Sequence, residues 1–192
     1  MEELRRGRSP FERVGRREYG YNIRQVDDFL TEARAYYNDP DQDADPITSK
    51  TVRSMAFDPA KGGYEAQAVD AALDRLEDVF AQRERDQLIR DEGEEAWLAE
   101  IGRMSTVLRA RLHRPLGERF RRPSARKAYS YNVRDVDALC NQLLEYFEQD
   151  QALSVDVIRR AAFREARGHA GYEENQVDAF LDRVVELMAS ID

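Results

Sequence analysis

The sequence has few of the residues that build disulfide frameworks, metal sites or membrane spans. Among 192 residues there is one cysteine, Cys140, and there are two histidines, His113 and His169. A lone cysteine excludes an intramolecular disulfide, and these residues are too few for a structural zinc site. No run approaches the roughly 18 apolar residues of a membrane span, and the N-terminus lacks the apolar stretch of a secretory signal. We therefore expect a cytoplasmic protein without a metal or another cofactor.

Charged residues are unusually frequent, whereas apolar residues are slightly scarce. The charged share is 35%, the apolar share is 42%, and the net charge is -8. Because globular chains carry about 25% charged residues, the core must be narrow, as between paired helices, and a broad sheet sandwich is disfavoured. The acidic total argues against general nucleic-acid binding. Neither a phosphate-binding Gly-Lys loop nor a grouped acid, base and nucleophile is present, so we expect no enzyme activity.

One motif recurs four times along the chain. Each copy has a tyrosine, then a valine five residues later and an aspartate six residues later. The copies are Tyr21, Val26 and Asp27; Tyr64, Val69 and Asp70; Tyr131, Val136 and Asp137; and Tyr172, Val177 and Asp178. Only the second and fourth copies, the B copies, follow a shared lead-in segment, Ile47–Phe57 or Leu153–Phe163. The first and third are the A copies, and an A–B pair was therefore duplicated as a block.

The duplication predicts two units and a segment between them. The first unit covers residues 1–86 and the second covers residues 118–192. A helical connector over residues 87–117 is expected to pack between them, because its apolar residues have helical spacing. Within it, Trp97 is either a buried anchor, which we favour, or an exposed binding residue.

Each motif copy predicts the start of a long amphipathic helix. Apolar residues lie five, eight, nine and twelve positions after each tyrosine, which forms one stripe of a helix. Asn22 and Asn132 suit helix caps, and Gln25 and Asp135 suit the reciprocal capping arrangement. A glycine before three of the tyrosines suits a sharp turn.

We predict an all-α fold of tandem helical repeats. Two pseudo-symmetric units each contain a long, a short and a long helix, with coiled-coil-like pairing of the long helices. The short helix and the preceding loop are long enough to return the chain, so we expect the long helices to be parallel. An antiparallel hairpin is the alternative, because periodicity does not set direction.

The recurring polar residues favour structural roles. The motif tyrosines suit packing at a helix start more than ligand binding. The motif aspartates lie on four separate helices, so we interpret them as holding an adjacent turn or a neighbouring helix, not as paired catalytic carboxylates. Cys140 stands where the sister copies have leucine, which favours a small core residue over a nucleophile.

A basic stretch, Arg109–Lys127, contains eight cations and a single acidic residue, Glu118. One interpretation is a site for phosphate, lipid or an acidic partner. The other, which we favour, is a neutralising strap across an otherwise acidic protein that meets the acidic segment Asp39–Asp45.

The B copies and their lead-in segments resemble the N-terminal domain of DivIVA. The residues that carry this resemblance are Ile47–Phe57, Gly63-Tyr64 and Val69–Leu76, and, in the second unit, Leu153–Phe163, Gly171-Tyr172 and Val177–Arg183. The chain outside the connector resembles a DivIVA-domain repeat protein of GC-rich Gram-positive bacteria.

This resemblance implies a non-enzymatic scaffold or adaptor that acts in bacterial cell division or polar growth through protein–protein contacts. The implied partners are other proteins of the division or cell-growth machinery. The implied location is the septum or the pole, peripheral to the membrane. Because four copies in one chain replace the family's pairing between chains, we expect a monomer or a small homo-oligomer.

The family's membrane-docking loop carries an exposed aromatic residue beside basic residues, and only the A copies offer this chemistry. The candidate contact residues are Arg16, Arg17 and Tyr19 in the first unit, and Arg126, Lys127 and Tyr129 in the second. The alternative function is therefore a peripheral membrane-binding module. Its contact with anionic lipid is weak, since each cation contributes about 1 kcal/mol.

Overall fold

A computed structural model describes residues 9–40 and 45–191 of the chain. The described part is mostly helical, at 61%. The all-α prediction holds only in this coarse sense, because the described residues also form five short β-strands. Each of these strands has four residues or fewer, which is too short for an alternation of apolar and polar residues to reveal it in the sequence.

The chain divides into two compact units, Met1–Glu84 and Arg85–Asp192. The elements of the first unit are β1 (Tyr19–Tyr21), α1 (Ile23–Asn38), α2 (Ser49–Arg53), β2 (Pro59–Lys61) and most of α3 (Ala66–Glu92). After the end of α3, the second unit contains α4 (Glu94–Leu112), β3 (Tyr129–Asn132), α5 (Val133–Gln149), α6 (Val155–Arg159), β4 (Glu165–Arg167), β5 (Gly171–Tyr172) and α7 (Glu174–Ile191). The first unit therefore has the predicted order of long, short and long helix, and the second unit has this order after an additional long helix, α4.

The segment predicted as a connector contributes α4 to the second unit. Helix α4 contacts α5 and α7, and its Leu108 and Leu112 are buried in the same apolar cluster as the stripe residues of those helices. Trp97 is half-buried in α4, a position between the two alternatives that the sequence left open. The second unit consequently has three long helices, where the sequence predicted two.

The predicted asparagine caps form at the starts of two long helices. The side chain of Asn22 accepts hydrogen bonds from the backbone N–H groups two and three residues later, at 3.0 and 3.2 Å. Asn132 caps α5 in the same way. These bonds satisfy donors that have no partner within the helix, so the residue after the A-copy tyrosine sets where each helix begins.

The reciprocal capping predicted for Gln25 and Asp135 is wrong. The backbone N–H groups of the capping asparagines already donate to the carbonyl oxygens of Asp58 and Arg164, at 2.9 and 2.8 Å. The side chains of Gln25 and Asp135 therefore turn to these same loops, where Gln25 bonds Asp58 and Asp135 bonds Arg164. Each A-copy helix start is thus fastened to the loop that precedes the B copy.

The short strands bring the A and B copies of each unit together. Strand β1 pairs antiparallel with β2, and β3 lies between β4 and β5. A Cβ atom on Gly20 would lie 2.1 Å from the carbonyl oxygen of Tyr64, and one on Gly63 would lie 2.3 Å from that of Tyr21. Neither glycine has a positive φ. Glycine is therefore required for the close approach of two backbones and not for the sharp turn that we predicted.

The two units differ in the size of their cores. In the first unit, Val26, Tyr64 and Val69 form one small cluster at the starts of α1 and α3. A second cluster contains five buried residues, Phe29, Ala33, Ile47, Val52 and Phe80. In the second unit, the corresponding residues and those of α4 join into one larger cluster. The helix pair of the second unit is therefore covered on one face by α4, and the described residues of the first unit contain no equivalent of this helix.

Candidate functional site

The tyrosine of each B copy bonds the aspartate of the A copy in the same unit. The Tyr64 hydroxyl donates to Oδ1 of Asp27 at 3.0 Å, and the Tyr172 hydroxyl donates to Oδ1 of Asp137 at 3.1 Å. Both tyrosines are buried. Burial raises the pKa of both hydroxyls, that of Tyr172 to about 12. They are therefore neutral donors at physiological pH.

The tyrosine of each A copy makes the opposite contact, with the aspartate of the B copy. The side chain of Tyr21 lies beside that of Asp70, and the side chain of Tyr131 lies beside that of Asp178. Burial, and then the neighbouring carboxylate, raises the pKa of both tyrosines, that of Tyr131 to about 12. Each unit thus contains a reciprocal exchange in which every motif tyrosine contacts the motif aspartate of the other copy.

The motif valines belong to the apolar core. Val26, Val69, Val136 and Val177 are all buried at the starts of the four long helices. The sequence predicted apolar packing for the valines and a neighbouring helix as one contact for the aspartates. It did not predict that the tyrosine and aspartate of two copies bind each other, because spacing along one copy says nothing about its partner.

In the second unit a buried arginine adds further hydrogen bonds around the aspartate of this exchange. The Arg119 guanidinium donates to the backbone oxygens of Leu112 and Asp137, at 3.1 and 2.8 Å, and to Oδ1 of Asn141 at 2.7 Å. Oδ2 of Asp137 accepts from the backbone N–H of Gly117 at 2.7 Å. Because each buried polar group finds a partner, the network holds the loop before β3 against α5.

The first unit has small side chains in the corresponding place. Pro10 stands where the second unit has Arg119. The Ser9 hydroxyl donates to the Tyr64 hydroxyl at 2.9 Å, and the Thr31 hydroxyl donates to the backbone oxygen of Asp27 at 2.7 Å. A cleft of about 590 Å³ remains beside them, and its lining also includes Arg13, Leu30 and Arg34.

Cys140 is enclosed in the core of the second unit. Burial raises the pKa of its thiol to about 12. Since the thiolate is the reactive form, this position opposes nucleophilic chemistry and fits the role of a small core residue. Among the residues that the structure describes, no group of three or more His, Cys, Asp and Glu side chains is placed to hold a metal ion.

Two exposed surface clusters, the basic-aromatic tips, each place the tyrosine at the start of β1 or β3 beside several cations. Tyr19 is 65% exposed and Tyr129 is 59% exposed. The ammonium of Lys61 lies 5.7 Å from the centroid of the Tyr19 ring, and the guanidinium carbon of Arg167 lies 3.5 Å from that of Tyr129. The sequence-predicted cations Arg16, Arg17, Arg126 and Lys127 are also exposed.

The sequence analysis missed Lys61 and Arg167 as members of these tips. Lys61 lies opposite Tyr19 in the β1–β2 register, and Arg167 lies opposite Tyr129 in the β3–β4 register. Antiparallel partners on one face of a sheet are close neighbours. Because the strands were not predicted, no sequence signal connected these B-copy cations with the A-copy tyrosines.

The basic stretch 109–127 is largely occupied with contacts inside the second unit. Arg109 pairs with Glu148 at 3.1 Å, and Arg121 pairs with Glu173 at 2.9 Å. Hydrogen bonds, first from Arg109 and then from His113, hold the pKa of Glu148 below its ordinary value. Part of the acidic segment that the stretch was expected to meet, residues 41–44, lies outside the described residues.

The candidate functional features are therefore two tyrosine–aspartate exchanges inside the units and two basic-aromatic tips on their surfaces. No described helix is long and apolar enough to cross a membrane. Comparison with known proteins finds no family model, no curated protein and no solved structure that matches the chain.

Proposed function

We propose that the chain is a non-enzymatic adaptor, similar to DivIVA-family proteins, that acts in bacterial cell division or polar growth by binding other proteins. The observation that carries this proposal is the reciprocal exchange of tyrosine and aspartate in both units. It gives the recurring polar residues a role in joining helices. Residues used in this way are not available as acids, bases or nucleophiles, whereas the outer faces of the helices are available to partners.

The contacts of the first unit support parallel, coiled-coil-like pairing as part of this proposal. Near the start of α1, Asp27 meets Tyr64, which lies two residues before α3. Near its end, the backbone oxygen of Tyr37 accepts from Arg83, late in α3, at 2.7 Å. A reciprocal exchange between two such helices repeats what two identical chains form across a twofold axis. Each unit then needs no second chain to complete its helix pair, in keeping with a monomer or a small homo-oligomer.

Localisation and capture of partners test the adaptor proposal. A fluorescent fusion of the full chain is imaged in the bacterium that encodes it, with the fluorescent protein alone as the control. We expect the fusion at septa or poles, and we expect division or cell-growth proteins in its pull-down. A uniform cytoplasmic signal together with the recovery of none of these proteins contradicts the proposal.

The exposed tips favour a second candidate, a peripheral membrane-binding module. Each tip presents one tyrosine together with three cations, two of its own A copy and one from the B strand opposite. An amphipathic aromatic ring suits the lipid headgroup region, and cations are attracted to anionic lipid. The predicted contact residues thus gain Lys61 and Arg167 in this proposal.

Co-sedimentation with vesicles of equal parts phosphatidylcholine and phosphatidylglycerol tests the second candidate. We expect the full chain to sediment with them at low salt and to be released at high salt, because salt screens the attraction to the headgroups. Replacing both tip residues, Tyr19→Ala and Tyr129→Ala, weakens binding. Tyr37→Ala is the matched control, because Tyr37 is also exposed but lies on α1. Failure of the unaltered chain to bind at low salt removes this candidate.

A further inference from the structure

In the second unit a third helix covers one face of the pair formed by α5 and α7. Leu108 and Leu112 of α4 are buried in one cluster with Leu187 of α7, which is 1% exposed. At the end of α4, the Arg109 guanidinium bonds Glu148 of α5 at 3.1 Å. The chain itself therefore shows that this face accepts an amphipathic helix, and which of its residues the helix meets.

The first unit has the equivalent face without a helix over it in the part of that unit that the structure describes. Val79 occupies the position of Leu187, and Tyr37 occupies that of Phe147. Val79 is 41% exposed and Tyr37 is 46% exposed. In the second unit the corresponding Leu187 is buried and Phe147 is half-buried, so the first unit exposes more apolar surface at these positions and offers a candidate binding surface.

The charges beside this face differ between the units, and the difference sets the chemistry of an occupant. Arg34 stands where the second unit has Leu144, and Asn38 stands where it has Glu148. Arg34 and Arg13 line the cleft beside Asp27. The cleft lining thus carries two cations and one anion. This balance favours an occupant that brings an acidic side chain over one that brings an arginine.

We propose that the first unit binds an amphipathic helix of a partner protein across the face that carries Tyr37 and Val79, with an acidic side chain of that helix beside Arg34. The helix takes the place that α4 takes in the second unit. This inference rests on the proposed adaptor function, because it states the kind of partner that the adaptor binds.

A charge-exchange experiment with peptides tests the proposal. The probes are two labelled peptides with the sequence of α4, Glu94–Leu112, one native and one carrying Arg109→Glu. In the register of the second unit, residue 109 of a bound peptide lies near Asn38 and Arg34. We therefore expect the R109E peptide to bind the full chain about threefold to tenfold more tightly than the native peptide, measured by fluorescence anisotropy. In a chain carrying Arg34→Glu the order of the two affinities reverses.

Two valine variants locate the binding site. Val79→Asp weakens R109E-peptide binding by at least about threefold, because a charge replaces apolar contact area. Val157→Asp is the matched control, since Val157 is 44% exposed on α6, and it leaves the affinity unchanged. Absence of binding by both peptides, an unchanged affinity order in the Arg34→Glu chain, or indifference to Val79→Asp overturns the inference.

The inference and the adaptor function fail separately. A chain that localises to septa or poles while neither peptide binds its first unit keeps the proposed function and loses the helix-binding face. A chain that binds the R109E peptide as expected but remains diffuse in the cell and captures no division protein keeps the face and loses the cellular role.

Discussion

Beside Asp137 the second unit places a buried arginine and a third helix, whereas beside Asp27 the first unit leaves an open cleft. The tyrosine–aspartate exchange is nevertheless present in both. The motif therefore determines how the two long helices are joined, and the sequence outside the motif determines how far the joined pair is covered. Under the proposed function, the helix pair that α4 covers provides stability, and the less covered pair of the first unit provides a surface for partners.

Removing the buried arginine is the most severe test of this contrast. Arg119→Ala removes a buried donor from the backbone oxygens of Leu112 and Asp137, and it removes the cation that lies 3.7 Å from the buried Asp137 carboxylate. We expect the second unit to lose about 3–5 kcal/mol of unfolding free energy. Native-state hydrogen exchange of α5 amides measures the loss. Arg121→Ala, which breaks an exposed ion pair, is the control and costs less than about 1 kcal/mol. Equal effects of the two variants contradict the contrast.

Removing one hydroxyl from each exchange gives a smaller, graded effect. Tyr172→Phe takes a donor from buried Asp137, at an expected cost of about 1–3 kcal/mol. Tyr64→Phe takes a donor from Asp27, which is half-buried beside the cleft, and water replaces the bond at a cost of about 0.5–1.5 kcal/mol. Hydrogen exchange in α5 and α1 measures the two losses. A larger loss for Tyr64→Phe shows that the cleft does not hydrate Asp27 as we infer.

The helix starts and the buried stripe were predictable from the sequence because their causes are local. Asn22 and Asn132 cap the helices that follow them, and a period of 3.6 residues aligns the motif valines with the rest of the stripe. The order of long, short and long helix followed from the duplicated lead-in segments.

The strands and the site were not predictable, because their causes lie in another copy. Tyr19 and Lys61 are neighbours only through a three-residue strand pairing, which has no periodicity of its own. Arg119 is one cation among eight in a basic stretch, and only the positions of Leu112 and Asp137 make it buried. The identity of a partner across a helix pair follows from three-dimensional packing, which spacing along one chain does not contain.

The smallest expected effect concerns the contacts that the loops before the B copies make in the two units. In the first unit, the neutral Gln25 side chain donates to the Asp58 carboxylate at 2.7 Å and accepts from its backbone N–H at 2.8 Å. In the second unit, Asp135 accepts from the guanidinium of Arg164 and from its backbone N–H. The contact between the helix start and the loop thus uses a neutral amide in the first unit and an ion pair in the second. We therefore expect acidic pH to weaken the two contacts differently.

Hydrogen bonds from the Arg164 side chain, and then from its backbone, lower the pKa of Asp135 from 3.8 to about 2. Because the folded pKa lies below the unfolded value, the pair stabilises the second unit above about pH 4, and this contribution disappears as the pH falls through about 2. We expect a small effect, since the pair is exposed to solvent. NMR titration of the Asp135 carboxyl and exchange of the Arg164 amide measure it. Asp135→Asn, which imitates Gln25, removes this pH dependence, whereas an Asp135 that titrates near 3.8 shows that the ion pair is absent in solution.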